Sequence, residues 1–172
     1  MVSRLPTTLY HLNGNRQLSI TTSSIRPAQP ADLEQLLVLL RLLFSIEKDF
    51  DFNVVRQRRG LEMMLAHDGA IIMVVESEKK VIGVASGQLT ISTAVGGPAL
   101  LVEDVVVDEA FRGQGFGKSL LEALAMWARN RKIERMQLLA DRNNVAAGKF
   151  YNALGWQETD LTCRRRSLSS ES

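Results

Sequence analysis

The chain has 172 residues, enough for one domain that buries about two thirds of the surface its unfolded form exposes. Hydrophobic residues make up 45% and charged residues 23%, and a formal net charge of +2 gives no indication of a nucleic-acid partner. One cysteine excludes an internal disulfide and argues against a cysteine-based metal site. The apolar runs are too short to span a bilayer. We therefore predict a cytoplasmic protein without a metal or a membrane partner.

The first part of the chain predicts one strand followed by two helices. Residues 1–21 are expected to form a loose leader, and a strand is predicted at Ser23–Arg26, where prolines end it. Apolar residues at helical spacing then predict a helix over 31–46, namely Leu33, Leu36, Leu37, Leu40, Leu43 and Phe44. An acidic and aromatic loop at 47–53 separates it from a second helix near 54–67.

The second part of the chain predicts the remainder of a sheet and two more helices. The expected elements are strands at 70–75, 80–91 and 100–107, a helix at 117–130, a strand at 136–140, a helix at 144–154, and one or two closing strands within 156–166. The order β-α-α-β-β-β-α-β-α-β indicates an α/β or α+β fold with a mixed sheet. The sheet is expected to have six to seven strands, flanked by about four helices.

A glycine-rich turn joins the strand that ends at Val107 to the next helix, and residues 112–119 read RGQGFGKS. Alternating glycines let a backbone approach a ligand closely, and a helix N-terminus offers unpaired N–H groups to a phosphate. The Walker A pattern fails because Arg112 stands at its first glycine, and the dinucleotide fingerprint fails because Lys118 stands at its third. The pattern R-x-x-G-x-G, on Arg112, Gly115 and Gly117, fits.

With this pattern directly after a strand, the sequence resembles the GNAT superfamily of N-acetyltransferases, whose acetyl-CoA pyrophosphate loop carries it. A later segment is similar to a second superfamily signature, N-x-x-A-x-x-F-Y-x-x-x-G-F/W, through Asn144, Ala147, Phe150, Tyr151, Gly155 and Trp156. The resemblance implies a single N-acetyltransferase domain over 22–168, a mostly antiparallel sheet and acetyl-CoA as the cosubstrate. Residues 169–172 are expected to be a flexible tail.

The resemblance also implies where the cofactor binds. The pantetheine arm would pair with the backbone of Val105, Val106 and Val107 as an added strand does. The pyrophosphate would face the turn and the start of the next helix, namely Arg112, Gly113, Gln114, Gly115, Phe116, Gly117 and Lys118. Asn144 is expected to contact the cofactor, to cap its helix, or to do both. Glu109 departs from the superfamily, which often has proline there, and places a negative charge near the phosphates.

Acetyl transfer to an amine requires a proton acceptor for the amine and a proton donor for the departing thiolate. Tyr151 resembles the superfamily's general acid, although the alternative is that it only packs beside Phe150. Glu103 and Asp104 precede the three valines, and superfamily members use such a carboxylate to remove the amine proton. We favour Glu103 as base and Asp104 as amine anchor, on opposite faces of the strand; a bulge would exchange those faces, and ion pairs with arginines are the alternative.

The acceptor is expected to be a small cationic amine. Glu47, Asp49 and Asp51 lie in the loop where superfamily members cover the acceptor site, although a merely solvated acidic loop is the alternative. Other functions left open are acetylation of a protein or peptide amine, a non-catalytic acyl-CoA-binding module, and a nucleotide phosphate-binding domain. Homodimers are frequent in the superfamily, so a homodimer is a further expectation.

Overall fold

The computed structural model describes residues 6–12, 18–47 and 49–168, with side chains described from Ser23 onward. The strands are β1 (Pro6–Leu12), β2 (Leu18–Pro27), β3 (Ala70–Ser77), β4 (Lys80–Ser92), β5 (Gly97–Val107) and β6 (Met136–Leu138). The helices are α1 (Leu33–Ile46), α2 (Val54–Ala66), α3 (Phe116–Asn130) and α4 (Val145–Ala153). All four predicted helices are therefore present, with ends within two residues of the prediction.

The strands form one mixed sheet in the order β1-β2-β3-β4-β5-β6, in which every neighbouring pair is antiparallel except the parallel pair β5–β6. The predicted mixed and mostly antiparallel sheet is confirmed. The strand number is corrected, because residues 22–168 contribute five strands, β2 to β6, and not six to seven. The sixth strand of the sheet, β1, lies in the segment that was expected to be a loose leader.

The missing strands are the closing ones predicted within 156–166. Residues 156–168 contain no regular secondary structure. Leu161, the aliphatic residue in the middle of this segment, has 89% of its surface exposed, so the segment buries too little apolar surface to offset the entropy of ordering a strand. The predicted tail at 169–172 lies outside the described residues, and the domain limits stay a prediction.

The chain divides into two compact units, one ending at Leu138 and the other beginning at Leu139. In the first unit, the leucines of α1 pack on one face of the sheet, against Ile72, Val74, Val84 and Val106. A methyl group on Gly83 would lie 3.3 Å from Cδ1 of Leu120 in α3. Because Gly83 and Val84 are consecutive in β4 and point to opposite faces, α1 and α3 cover opposite faces of the sheet.

An ion-paired cluster precedes α1. Arg26 donates to both carboxylate oxygens of Asp32, at 2.7 and 2.8 Å, and its Nε donates to Oε2 of Glu76 at 2.8 Å. The backbone N–H of Gln29 also donates to Asp32, at 2.7 Å. The Arg26 hydrogen bonds hold the pKa of Asp32 below its usual range, against the opposing effect of burial. This cluster ties β2 and β3 to the start of α1.

No helix within residues 18–47 and 49–168 is both long and apolar enough to cross a membrane. Over the same residues, no three side chains of His, Cys, Asp or Glu come together in an arrangement that suits a metal ion.

Candidate active site

The glycine-rich turn leads directly into α3, and its backbone shape depends on two glycines. Gly113 and Gly115 have φ values of +75° and +84°, in the left-handed region that favours glycine. The first backbone hydrogen bond of the helix runs from the Ser119 N–H to the Gly115 carbonyl, at 3.0 Å. The N–H groups of residues 115–118 therefore have no acceptor within the helix. They lie at the positive end of the helix dipole, where an anion is stabilised.

Arg112 is engaged by its own loop. Its Nε donates to the Val107 carbonyl at 3.1 Å, and its guanidinium lies 3.3 Å from Oε1 of Glu109. Glu109 is the residue that departs from the superfamily pattern, and it neutralises part of the charge that Arg112 brings to the turn. Lys118, in the first turn of α3, has an exposed side chain.

A second ion pair holds the beginning of the turn. Nζ of Lys80 lies 2.9 Å from Oδ2 of Asp108 and also approaches the Phe111 ring, 5.7 Å from its centroid. The other carboxylate oxygen of Asp108 accepts from the Ala110 N–H at 3.1 Å, and the hydrogen bond from Lys80 is the main reason that the pKa of Asp108 is lowered. These contacts connect the β3–β4 hairpin to the segment before the glycines.

The strand that leads into the turn contains a bulge at the two candidate catalytic carboxylates. Ala85 of β4 pairs with Val105 of β5, and Gly87 pairs with Val102, so Ser86 alone lies opposite both Glu103 and Asp104. Two residues opposite one define a β-bulge in β5. Sequence reasoning named a bulge only as a condition that would change which face each acid occupies.

The bulge brings both carboxylates to polar side chains on the same face of β4. Oδ2 of Asp104 accepts from the Ser86 hydroxyl at 2.9 Å, and Oε1 of Glu103 accepts from Nε2 of Gln88 at 2.8 Å. Ser86 and Gln88 are two residues apart in β4 and point to the same face, which is the face of Val84 and α1. The expectation that Glu103 and Asp104 point to opposite faces is therefore wrong, because the extra residue of the bulge interrupts the alternation.

The two carboxylates have different surroundings. Glu103 is exposed, whereas Asp104 is half-buried. Burial raises the pKa of Asp104, the negative charge of Glu103 raises it further, and the hydrogen bond from Ser86 opposes both. The expected alternative, ion pairs with arginines, is not seen at either carboxylate among the described residues.

β5 has an open edge between the bulge and the turn. Its parallel pairing with β6 runs only from Leu100 opposite Met136 to Val102 opposite Leu138. Beyond that point, residues 103–107 of β5 pair with no strand on this side among the described residues. This edge contains the three valines that were predicted to pair with an amide-containing ligand.

The second compact unit contains the other two predicted site residues. Asn144 is the N-cap of α4, and its side-chain oxygen accepts from the Ala147 N–H at 3.0 Å. Tyr151 lies in α4, and its ring centroid is 5.2 Å from that of Phe150 and 5.9 Å from that of Trp156. The capping role expected for Asn144 is present.

The end of α4 explains the spacing of the second signature. Gly155 has a φ of +82°, its N–H donates to the Asn152 carbonyl at 3.0 Å, and the Trp156 N–H donates to the Tyr151 carbonyl at 3.1 Å. These two bonds make a Schellman motif, in which the residue after the glycine packs back on the last turn of the helix. The Tyr151–Trp156 ring contact is that packing.

Comparison with protein families identifies the chain. The model of the acetyltransferase (GNAT) family matches residues 36–156, which include the bulge, the glycine-rich turn and α4. The chain belongs to the GNAT family.

Relatives of this GNAT chain include the uncharacterized N-acetyltransferase MJ1207 of Methanocaldococcus jannaschii, 26% identical over 83% of this chain and 64% of the relative. N-alpha-acetyltransferase 80 of Mus musculus is 39% identical over 43% of this chain and 23% of its own length. The chain spans less than two thirds of the length of the curated relatives that it matches. The structure of the aminoglycoside N-acetyltransferase AAC(6')-Iy in complex with CoA aligns with a TM-score of 0.75 and 21% identity, over 87% of this chain and 97% of that one. At this identity, the likeness shows a shared fold.

The structure brings some of the predicted residues of this GNAT chain together. Glu103, Asp104 and the three valines lie in β5, and residues 112–118 follow within the same unit. Glu47, Asp49 and Asp51 lie in the α1–α2 loop, where Phe50 and Phe52 contact Phe44 with centroid distances of 5.8 and 6.4 Å. Asn144 and Tyr151 belong to the second unit.

Sequence reasoning missed Ser86 and Gln88. Both lie in a strand that was correctly predicted, and both are polar residues at alternate positions of an otherwise apolar stretch, VIGVASGQL. This alternation indicates a polar strip on one face of β4 and could have drawn attention to them. Their partners could not be found in this way, because pairing across strands depends on the register.

Proposed function

We propose that this chain is an acetyl-CoA-dependent N-acetyltransferase that acetylates a small cationic amine by direct attack within a ternary complex. The observation that carries the proposal is the continuity of β5 and α3. One stretch of chain contains a pair of carboxylates, then an open strand edge, and then a row of helix N-terminal N–H groups. These are the groups needed to bind an amine, an amide-containing arm and a diphosphate.

The residues of the turn fit the pyrophosphate of acetyl-CoA. The N–H groups of residues 115–118 would donate to the phosphate oxygens, and the exposed Lys118 would add a positive charge. The open edge at Val105–Val107 would pair with the amides of the pantetheine arm. Because main-chain groups make these contacts, the identity of the valine side chains matters little.

The carboxylates of the bulge would accept the amine proton. An ordinary alkyl ammonium has a pKa near 10.4, so only about one molecule in a thousand is neutral at pH 7, and a base close to the amine removes that limitation. Tyr151 is proposed as the proton donor to the thiolate, held in its orientation by the Schellman motif and the Trp156 ring. Acetyl-CoA supplies the acyl group as a thioester.

The acceptor is proposed from charge. Glu103 is an exposed carboxylate, and Glu47, Asp49 and Asp51 add negative charge on the α1–α2 loop, which favours a cationic amine. The similar fold of an aminoglycoside N-acetyltransferase agrees with this class of acceptor. A peptide α-amine is the second candidate, because one stretch of the chain is 39% identical to N-alpha-acetyltransferase 80.

The proposal is tested with a glycine variant and an amine panel. Gly115→Ala places a side chain at a φ of +84°, which costs ~1–2 kcal/mol and should displace the N–H groups. We expect calorimetry to show CoA binding weakened by about 5- to 30-fold, the equivalent of that cost. The wild-type protein should release CoA from acetyl-CoA with polyamines or aminoglycosides, and more slowly with peptides.

Gly60→Ala is the matched control. Gly60 lies inside α2, and a methyl group there would meet nothing within 4 Å. This variant should keep wild-type CoA affinity and gain about 0.5–1 kcal/mol of stability.

Tight CoA binding without turnover on any amine would instead support a non-catalytic acyl-CoA-binding module, and binding of ATP but not CoA would refute the proposed cofactor.

A further inference from the structure

The hydroxyl of Ser86 makes two hydrogen bonds at the β5 bulge. A bulge leaves backbone groups without partners in the sheet, and Ser86 compensates by accepting from the Asp104 N–H at 3.1 Å. The Ser86 hydroxyl in turn donates its own proton to Oδ2 of Asp104, at 2.9 Å. Ser86 is only 1% exposed, so water does not compete for either bond. The hydroxyl therefore connects the backbone and the carboxylate of Asp104 and restricts that carboxylate to one orientation.

The neighbouring carboxylate is held differently. Glu103 is exposed, and its contact with Gln88 is an exposed hydrogen bond of 2.8 Å. Gln88 leaves Glu103 open to solvent, where a cation can reach it. α1 faces this part of the sheet with leucine side chains, so Glu103 is the charged group that acts on Asp104 among the described residues.

We propose that Ser86 is a positioning residue that presents Asp104 as the proton acceptor, while Glu103, held by Gln88, binds the amine cation. This assignment rests on the proposed acetyltransferase function and exchanges the roles that the sequence favoured for the two acids. In the step, Asp104 accepts one proton from the ammonium, and the nitrogen lone pair then forms a bond to the thioester carbonyl carbon. The C–S bond breaks with its electron pair on sulfur, and sulfur receives the second nitrogen proton. The proton on Asp104 leaves to solvent.

The surroundings of Asp104 agree with these roles. A carboxyl whose pKa is raised by burial and by a neighbouring charge is a better proton acceptor near neutral pH than an ordinary exposed carboxylate. The hydrogen bond from Ser86 acts against that increase. Removal of the hydroxyl should therefore raise the pKa of Asp104 further, and a general loss of stability would not produce this directional change.

The test measures kcat and KM for the amine between pH 5 and 9 in wild-type, Ser86→Ala and Ser86→Thr proteins. We expect Ser86→Ala to lower kcat by about 10- to 100-fold, the range for loss of a hydrogen bond to a charged group, and to move the acidic limb of kcat/KM to higher pH. Ser86→Thr keeps the hydroxyl and should restore most of kcat. Gln88→Ala should raise KM for the amine several-fold and leave kcat within about twofold.

A carbon-13 titration of the aspartate carboxyls gives a readout that does not require turnover. The Asp104 signal should titrate at higher pH in Ser86→Ala than in wild type. Ser45→Ala removes an exposed hydroxyl of α1 that donates to the Leu42 carbonyl, and it should leave both readouts unchanged. Where Ser86→Ala folds poorly, Ser86→Cys, with a weaker donor of similar size, should give an intermediate shift.

The outcomes separate the two proposals. Turnover by the wild type together with an unchanged pH profile and titration in Ser86→Ala would overturn the role of Ser86 and leave the acetyltransferase proposal standing. A drop in kcat for Glu103→Gln that exceeds the drop for Asp104→Asn would reverse the assignment of the two acids. Absence of CoA release with every amine would overturn the function and, with it, the assignment.

Discussion

Asp32 and Asp104 are two shielded aspartates in the same unit that experience opposite electrostatic surroundings. Asp32 is 5% exposed and accepts two hydrogen bonds from Arg26, so its pKa is lowered. Asp104 has no arginine partner among the described residues, and its pKa is raised by burial and by the neighbouring carboxylate of Glu103, against the opposing hydrogen bond from Ser86. A buried carboxylate with an arginine partner stabilises a structure, whereas one without a cation keeps a high proton affinity that catalysis can use.

The same contrast applies to the turn before α3. Arg112 is a candidate for binding phosphate, but Glu109 pairs with it. A nearby opposite charge thus leaves a side chain less available to bind a ligand or to accept a proton, as Arg26 does for Asp32. Four variants or measurements test this comparison.

Asp104→Asn should have the largest effect on activity. Asparagine keeps the shape of the side chain but cannot accept the amine proton, so kcat should fall by about 10²- to 10⁴-fold, the range for loss of a general base. The melting temperature should stay the same or rise, because the variant lacks a carboxylate that burial disfavours. Steady-state kinetics and thermal unfolding measure both effects. A lower melting temperature with unchanged kcat would instead show that Asp104, like Asp32, contributes to stability and not to catalysis.

Asp32→Asn should have the largest effect on stability. The substitution leaves Arg26 without one of its two carboxylate partners in a largely buried site, and breaking such a pair costs about 3–5 kcal/mol. Urea unfolding measures the loss. The kcat per folded molecule should not change. Glu34→Gln, which removes an exposed ion pair with Arg58, is the control and should unfold as wild type does.

The pH dependence of stability should have opposite signs at the two sites. The pKa of Asp32 is lowered on folding, so its contribution is present above the unfolded value of about 3.9 and is lost as the pH falls through the folded value. The pKa of Asp104 is raised, so ionisation penalises the folded state increasingly as the pH rises from about 3.9 through the folded value.

Unfolding free energies of the two asparagine variants, measured against wild type from pH 3 to 8, test this prediction. Raising the pH should make Asp32→Asn less stable relative to wild type and Asp104→Asn more stable relative to wild type. Curves of the same sign would contradict the difference between the two aspartates.

Glu109→Gln should have the smallest effect. The variant releases Arg112 from a pair in which both side chains are substantially exposed, so the gain is that of a surface ion pair. CoA should bind about 1.5- to 5-fold more tightly at low salt, corresponding to ~0.2–1 kcal/mol, and the difference should disappear at high salt. Glu134→Gln, at an exposed position after the C-terminal end of α3, is the control and should leave the affinity unchanged.

The elements that sequence predicted well are those that depend on local physics. The four helices follow from apolar residues at helical spacing, and the glycine-rich turn follows from residues that adopt positive φ. The spacing of Tyr151, Gly155 and Trp156 follows from one helix cap. Each of these features is decided by residues within a few positions of one another, so the sequence alone contains the information.

The features that depend on pairing between distant strands were decided by tertiary structure. The strands predicted near the C-terminus are absent, and the bulge exists only because β4 and β5 pair in one particular register. That register selects Ser86 and Gln88, 15 to 18 residues before their partners, and places both acids on one face. The sequence by itself determined the acids, the glycines and the helices of this protein. Which of the two acids is the more buried was decided by the packing of one strand against another, because burial and register are properties of the folded sheet.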